Sequence, residues 1–463
     1  MNASNETSIA ATLAGFTASL RYDDIPANTR ERAKHLILDA VGIALASTRY
    51  EFAQRTLAAA KELGDGDSDV IGLSAKLSLR DAILLNGVLV HGLDYDDTHG
   101  RGVIHATASC FPAALGVAAR YGASGADMLA AYVVGMEAAT RLGAVAKGGL
   151  HQVGFHPTGV IGAFGCALIA GKLQHQTAAQ LTMTQGIALS TASGSLEFLQ
   201  DGAWTKRMHP GWAGVAGLTA ATLARHGFTG PGAVYEGRFG LFKSHLGPVE
   251  AECDYALATQ GLGTHWEVGE IAVKPVPACH FTHAVSDAAV LLHGQGVSIE
   301  DIQRITALVP KETVGIVCEP EAAKRKPANS YEAQFSVPYA IASGLLRGRF
   351  GLPDLQPEAF SEPTALSLME KIHYEVDPNS GFPRHYSGEV VITLKDGREL
   401  RHREGINRGA ADRPLSNDDI VAKYRDNAST AVAMPRVDQI LEAVLGLDRM
   451  NARDLSRALA APA

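Results

Sequence analysis

Along the first 260 positions apolar residues recur at helical spacing, and several stretches turn apolar on every face. DIPANTRERAKHLILDAVGIALAS (24–47) sets Pro26 near a helix start. From Leu36 to Ala44 it is apolar on nearly every face, which predicts a buried helix. RDAILLNGVLVHGL (80–93) predicts a second helix that runs straight into a polar loop. GADMLAAYVVGMEAATRLG (125–143) follows Ser124, with Asp127 three positions on, a capping box with Asp in place of Glu. Helical spacing also covers 159–173, 177–193 and 211–226, and GFTGPGAVYEGRFG (227–240) is turn chemistry throughout.

From about 268 the period shortens. EIAVKPV, RITALVP, KIHYEV and EVVITL are short, β-branched and partly alternating; in KIHYEV, Ile372, Tyr374 and Val376 face one way and Lys371, His373 and Glu375 the other. EVVITL, then Asp396-Gly397, then RELRHRE predicts a hairpin. Helical stretches at 283–294 and 335–347 lie between the strands. After about 403 helices return, with Ser416/Asp419 and Asn451/Asp454 marking two N-termini and Pro435 beginning a third helix. The expected fold is mostly α with an inserted α+β domain. A large helical domain is built from both ends of the chain (1–268 and 403–463), and a smaller lid domain occupies 269–402.

Composition narrows the functional classes. The 463 residues suit two domains, and a net charge of −8 argues against a nucleic-acid binder. Five scattered cysteines with no CxxC pair argue against a disulfide framework or zinc knuckle and for a reducing compartment. MNASNETSIA lacks the basic-then-apolar pattern of a secretory signal. The uncharged 153–171 stretch, rich in Gly and Ala and opening near His156-Pro157, reads as a tightly packed buried helix and not a membrane span. The expectation is a soluble, cytoplasmic chain with no membrane partner. Neither GxGxxG nor GxxxxGK[ST] occurs, so no dinucleotide or phosphate-loop cofactor is expected.

The candidate chemistry lies in clusters. HGLDYDDTHGRGVIH (91–105) carries Asp94, Asp96 and Asp97 among His91, His99 and His105, between two apolar helices. Its spacing fits no metal template such as HExxH, and neighbouring Asp96 and Asp97 are not expected to point inward together from an extended loop. The bland alternative is a solvated turn with helix-capping aspartates. Against that, a carboxylate buried between apolar helices must be paired or have its pKa raised, and either outcome suits acid–base work. His156 stands at a helix mouth, where the macrodipole disfavours its charged form; a capping or core histidine is the alternative. DGAWTKRMHPGW (201–212) sets Lys206, Arg207 and His209 between two tryptophans, against a structured wall or on a solvated basic turn.

KPVPACHFTH (274–283) brings Lys274, Cys279, His280 and His283 to the expected domain junction, where small-molecule clefts concentrate. A Cys279–imidazole nucleophile would lack any accompanying oxyanion motif. NSYEAQFSVPYAIASG places Tyr331 and Gln334 at a helix start, where core packing is the bland role. The cations and imidazoles together suit a small polyanion. Removing a proton α to a carboxylate needs a base and cations that hold the developing enediolate charge.

LDYDDTH with a following His and PAALG, HPTGVIGAFGCALIAGKL, the KR-x-H-PGW block, GFTGP with EG-x-FG, and KPVPAC-x-x-TH together resemble the MmgE/PrpD family, in family order over about 5–460. The resemblance implies the same helical-plus-lid fold, a homodimer, and lyase chemistry on di- or tricarboxylates with no cofactor and no required metal. It implies an active site lined by Asp94, Thr98, His105, His156, Lys206 and Lys274.

On this reading Asp94, His105, His156 and Lys206 are catalytic, with His105 or His156 as base or acid and Asp96 and Asp97 structural. Thr98, Arg207, His209, Lys274, Cys279, His280 and Tyr331 bind substrate. The leading expectation is dehydration of a 2-methylcitrate-like hydroxy acid. A cis-aconitate-type decarboxylation and an iminodisuccinate-type epimerisation are the alternatives, and a metal-dependent hydrolase is a more distant one. This chain has Cys279 where the aconitate decarboxylases place a histidine, His280 where arginine is common, and a Thr98–His105 loop one residue longer. Those departures bear on which reaction is run, not on the family.

Overall fold

A computed structural model describes residues 8–382 and 384–462. Most of the leading stretch examined for a secretory signal lies outside them. The chain divides into two compact units. One holds the residues up to Gly92, Asp96–Ile271 and the chain from Ser416 on; the other holds Leu93–Tyr95 and Ala272–Leu415.

The first unit is helical. Gly125–Val145, Gly162–Leu173, Ala106–Tyr121, Thr205–Arg225 and Leu79–His91 pack on one another, and most of their side chains are buried. The abundance of Gly and Ala has a steric reason. A Cβ on Gly87 would stand 2.4 Å from Gly211 Cα, and one on Gly217 would stand 2.5 Å from Ala167 N, so the helices meet backbone to backbone. The last helices of the chain belong to this unit because Asn417–Ser429 packs on Ala27–Ser47. A buried Lys423–Asp39 pair at 2.7 Å helps join them, and Ser416 and Asp419 form the capping box read from the sequence.

Gly125–Val145 is the one helix among the described residues long and apolar enough to cross a membrane, and its apolar window is wholly buried in the protein. Within the 153–171 stretch the helix begins at Pro157 and runs to Leu173, with Ile161 keeping right-handed helical backbone. A two-stranded hairpin, Ser68–Val70 with Leu73–Leu77, has no counterpart in the helical reading of this region.

The second unit carries a four-stranded sheet in the order Ile372–Val376, Ile302–Val309, Gly388–Leu394, Glu399–Glu404. The first pair is parallel, with Ile305 opposite Ile372, and the other pairs are antiparallel. The Asp396-Gly397 hairpin forms with Gly397 at φ 86°. Helix His283–His293 packs on strands Gly388–Leu394 and Glu399–Glu404 and against helix Val337–Arg347. Two strand expectations shrink. EIAVKPV yields only the two-residue strand Ile271–Ala272, since Pro275 and Pro277 cannot donate to a ladder. In KIHYEV, Ile372 is buried but Val376 is 49% exposed, on a strand at the sheet edge.

Candidate active site

Four imidazoles assemble in the helical unit, each delivered by a helix end. His91 is the last residue of Leu79–His91, His105 precedes Ala106–Tyr121, and His156 precedes Pro157–Val160. His209 lies in Thr205–Arg225, which begins six residues earlier than the helical spacing at 211–226 indicated. The block placed either against a structured wall or on a solvated turn is therefore the first helical turns, and Pro210 lies inside the helix, where it removes one i→i−4 bond.

The rings form a chain. Centroids of His91 and His105 are 5.0 Å apart, those of His91 and His156 5.6 Å at 24°, and those of His156 and His209 5.2 Å. The Nδ1 atoms of His156 and His209 are 3.0 Å apart, so one carries the proton and the other accepts it. Burial, reinforced by His91, Lys206, His209 and His105, holds His156 well below the ordinary imidazole pKa. Burial, then His91 and Lys206, pushes His209 down to about 4. The pair is neutral at pH 7, and a neutral imidazole beside an ammonium can take a proton while the cation holds an anion. Phe198 closes over both rings, edge to face.

The 91–105 loop ties into this chain through its carboxylates. His91 Nδ1 donates to Asp96 Oδ2 at 2.8 Å, and that oxygen lies 3.8 Å from His105 Nδ1. His105 Nδ1 donates to the Asp97 carbonyl at 2.7 Å, with Thr98 Oγ1 3.3 Å away. Asp97 accepts from the Thr107 hydroxyl and backbone N–H, and burial pushes its carboxyl up to about 7 against those bonds. Asp96 and Asp97 are both buried, contrary to the expectation for an extended loop. The backbone is not extended here: Asp94 adopts φ 50°, and the two carboxylates diverge to His91 and Thr107. One ligand atom from each of His91, Asp96 and His105 lies within 4.8 Å of the others, so these residues could hold a metal where the spacing matched no template.

Arg207 sits in a packed setting. Its Nε donates to the Gly92 carbonyl at 2.8 Å, and the guanidinium lies 4.7 Å over Phe52 and 5.6 Å over Trp204.

In the second unit Lys274 donates to the Asp94 carbonyl at 2.7 Å and to its carboxylate at 3.0 Å, both side chains being buried. His280 Nε2 accepts from Asn407 at 2.7 Å, its ring 4.6 Å from that of His283. Burial, then Lys274, pushes His280 down to about 3. Cys279 is buried, its backbone N–H donating to the Gln334 carbonyl at 2.9 Å. Gln334 in turn donates to the Leu93 and Pro277 carbonyls, pinning the loop that holds Asp94. Tyr331 is buried, with its ring 4.8 Å from Phe335.

The sequence-derived residues thus fall into two groups. Thr98, His105, His156, Lys206, Arg207 and His209 lie in the helical unit, and Asp94, Lys274, Cys279, His280 and Tyr331 in the other. His91 and Asp96, outside the residues that the sequence assigns to catalysis or binding, also belong to the imidazole cluster. The available signal was a histidine ending the apolar run AILLNGVLV, five positions before an aspartate.

Two family models match the chain: the MmgE/PrpD N-terminal domain over residues 11–254 and the MmgE/PrpD C-terminal domain over residues 276–448. The chain is similar to the cis-aconitate decarboxylase-like protein oryM of Aspergillus oryzae, with 26% identity covering 98% of this chain and 97% of the relative. It is also similar to the cis-aconitate decarboxylases of Mus musculus, at 27% identity over 96% of this chain and 91% of the relative, and of Homo sapiens, at 28% over 96% and 92%.

Proposed function

The chain belongs to the MmgE/PrpD family and is a lyase, and from that premise we propose that it dehydrates a small hydroxy di- or tricarboxylate of the 2-methylcitrate kind by acid–base catalysis without a metal. The observation that carries this reading is the neutral His156–His209 pair held 3.0 Å apart beside the Lys206 ammonium. One imidazole removes the proton α to a carboxylate. The electron pair left behind forms the double bond, and the hydroxyl on the adjacent carbon leaves as water with a proton from a second imidazole, His105. Lys206 holds the charge that develops on the carboxylate.

A second reading, decarboxylation of cis-aconitate, draws on the names of the relatives above. The same base and cations would serve there, with carbon dioxide lost and the carbanion reprotonated. Cys279, standing where those enzymes have a histidine, favours the first.

Proton NMR of the EDTA-treated protein in heavy water separates the readings. The panel is 2-methylcitrate, citrate, cis-aconitate and iminodisuccinate. Vinyl signals from 2-methylcitrate or citrate mark a dehydratase. Itaconate from cis-aconitate marks a decarboxylase, and inversion with deuterium uptake an epimerase. Silence across the panel would sink the reading.

We further propose a homodimer in the cytoplasm. Trp204, Met208, Trp212 and Leu223 form an exposed apolar stripe along one face at helix Thr205–Arg225, suited to a second copy. All five cysteines are free, which suits a reducing compartment. A monomeric mass by light scattering would remove the dimer.

A further inference from the structure

We propose that His91, Asp96 and His105 form a binding site for one zinc-like divalent transition-metal ion, and that the ion switches the enzyme off. The binding claim stands on geometry alone; the inhibition rests on the acid–base reading above.

The donor set is right for such an ion. Two imidazoles and a carboxylate are the ligands that borderline ions such as zinc select. His91 Nδ1 lies 2.8 Å and His105 Nδ1 3.8 Å from Asp96 Oδ2. The His105–Asp96 separation is close to the roughly 3.3 Å between ligand atoms that bonds of about 2.0–2.2 Å impose around a tetrahedral ion, and the His91 ring stands against the same carboxylate. The three ligand atoms already lie within 4.8 Å of one another, so closing on an ion needs side-chain shifts and no refolding.

A second observation points to a ligand. The His91 side chain is wholly buried, and its Nε2 has no hydrogen-bond partner among the described residues. A buried ring nitrogen left unbonded is costly. Coordination through Nε2 gives this ring the bond it lacks and keeps the Nδ1–H bond to Asp96. The carboxylate supplies one negative charge against the ion's two. His105 is the most exposed of the three, leaving a route by which an ion and a water as fourth ligand can enter.

Occupation would engage an imidazole lone pair that the proposed reaction uses for proton transfer. The ion would thus compete with the proton for His105, and the enzyme would be inhibited by the ions that a metallohydrolase requires. The family reading without a metal and a metal-binding constellation are compatible on these terms.

The test uses the full chain, stripped with EDTA and desalted. Cobalt(II) is titrated in and followed by its visible d–d absorption, and zinc retained after dialysis is counted per chain. The expected result is one ion per chain in the wild type, with affinity at least about tenfold weaker in both His91→Gln and Asp96→Asn. Their folding is checked by circular dichroism and thermal melting. X-ray absorption of the wild-type zinc form needs no variant, and should show nitrogen and oxygen neighbours with the scattering signature of imidazole. No retained ion, retention equal in wild type and folded variants, or sulfur neighbours would each overturn the site. If the ion binds as expected while the stripped protein turns over no carboxylate, the site stands and the lyase reading fails. If the stripped protein is active and stays active with the ion bound, the inhibitory role fails.

Discussion

Lys274 grips Asp94 twice, by the backbone carbonyl and by the side-chain carboxylate, and so holds an aspartate at φ 50° in a buried position. The left-handed backbone costs about 1 kcal/mol or more for a residue with a Cβ, and the double grip offsets that cost. It also neutralises the lysine, which turns a nominal substrate clamp into half of a buried ion pair.

Replacing Lys274 with Met should therefore destabilise the protein by about 3–5 kcal/mol, since it leaves a buried carboxylate without its partner. The double variant Asp94→Asn, Lys274→Met should recover most of that loss. Chemical denaturation of the three proteins measures both numbers. A single variant as stable as the wild type would show that the pair is not closed in solution.

His156→Gln keeps a hydrogen-bonding side chain but removes the proton acceptor. Turnover of whichever carboxylate proves to be the substrate should fall by roughly 10²–10⁴-fold, with the melting temperature little changed. Full turnover would remove His156 from the reaction.

Stability should fall as the solution is acidified from pH 7 to 5. His151, His156, His209, His280 and His283 all have folded pKa values lowered by burial, to about 4 for His151 and His209 and about 3 for His280. Unfolded imidazoles titrate at about 6.5, so below that pH the unfolded chain takes up protons the folded chain refuses. Their contribution is complete above about pH 6.5 and is lost as pH falls toward the folded values. Asp97 and Glu137, raised by burial to about 7, act oppositely: their contribution is present at low pH and lost as pH rises through 7. Burial also lowers His245 and His373 and raises Asp39 and Asp287, so seven lowered imidazoles stand against four raised carboxyls and a net loss by pH 5 is expected. A melting temperature that rises between pH 7 and 5 would show the rings to be charged or solvated.

Gly87→Ala adds one methyl group where Gly211 leaves no room. Overpacking against backbone costs about 1–3 kcal/mol, against a helix-propensity gain of up to about 1 kcal/mol, so a net loss is expected in thermal melting. A stabilised variant would show that the two helices separate easily.

Much of the architecture was legible in the sequence because it is periodic. The buried helix Ala27–Ser47, the N-cap at Ser124, the capping box at Ser416 and the Asp396-Gly397 hairpin each rest on local chemistry that tertiary structure leaves intact. The Ser68–Leu77 hairpin is too short to show a period, and the two prolines after Val273 stop a strand that β-branched composition suggested. At the site, residue types pointed to acid–base chemistry, but partnerships did not emerge. That Asp96 belongs to His91, and Asp97 to Thr107, depends on a bend at Asp94 that no aspartate announces. His91 resembled one more residue in an apolar helix until its Nδ1 met a carboxylate.

The meeting of Gly87 and Gly211 has a reach beyond packing. His91 is one helical turn past the first glycine, and His209 is two residues before the second. The crossing therefore works as a gauge block, setting the span between His91 and His209, two members of the imidazole chain. Residues that line the site can be exchanged to suit a new acid while that span is preserved. Widening the crossing by the thickness of a methyl group would shift His91 against His209.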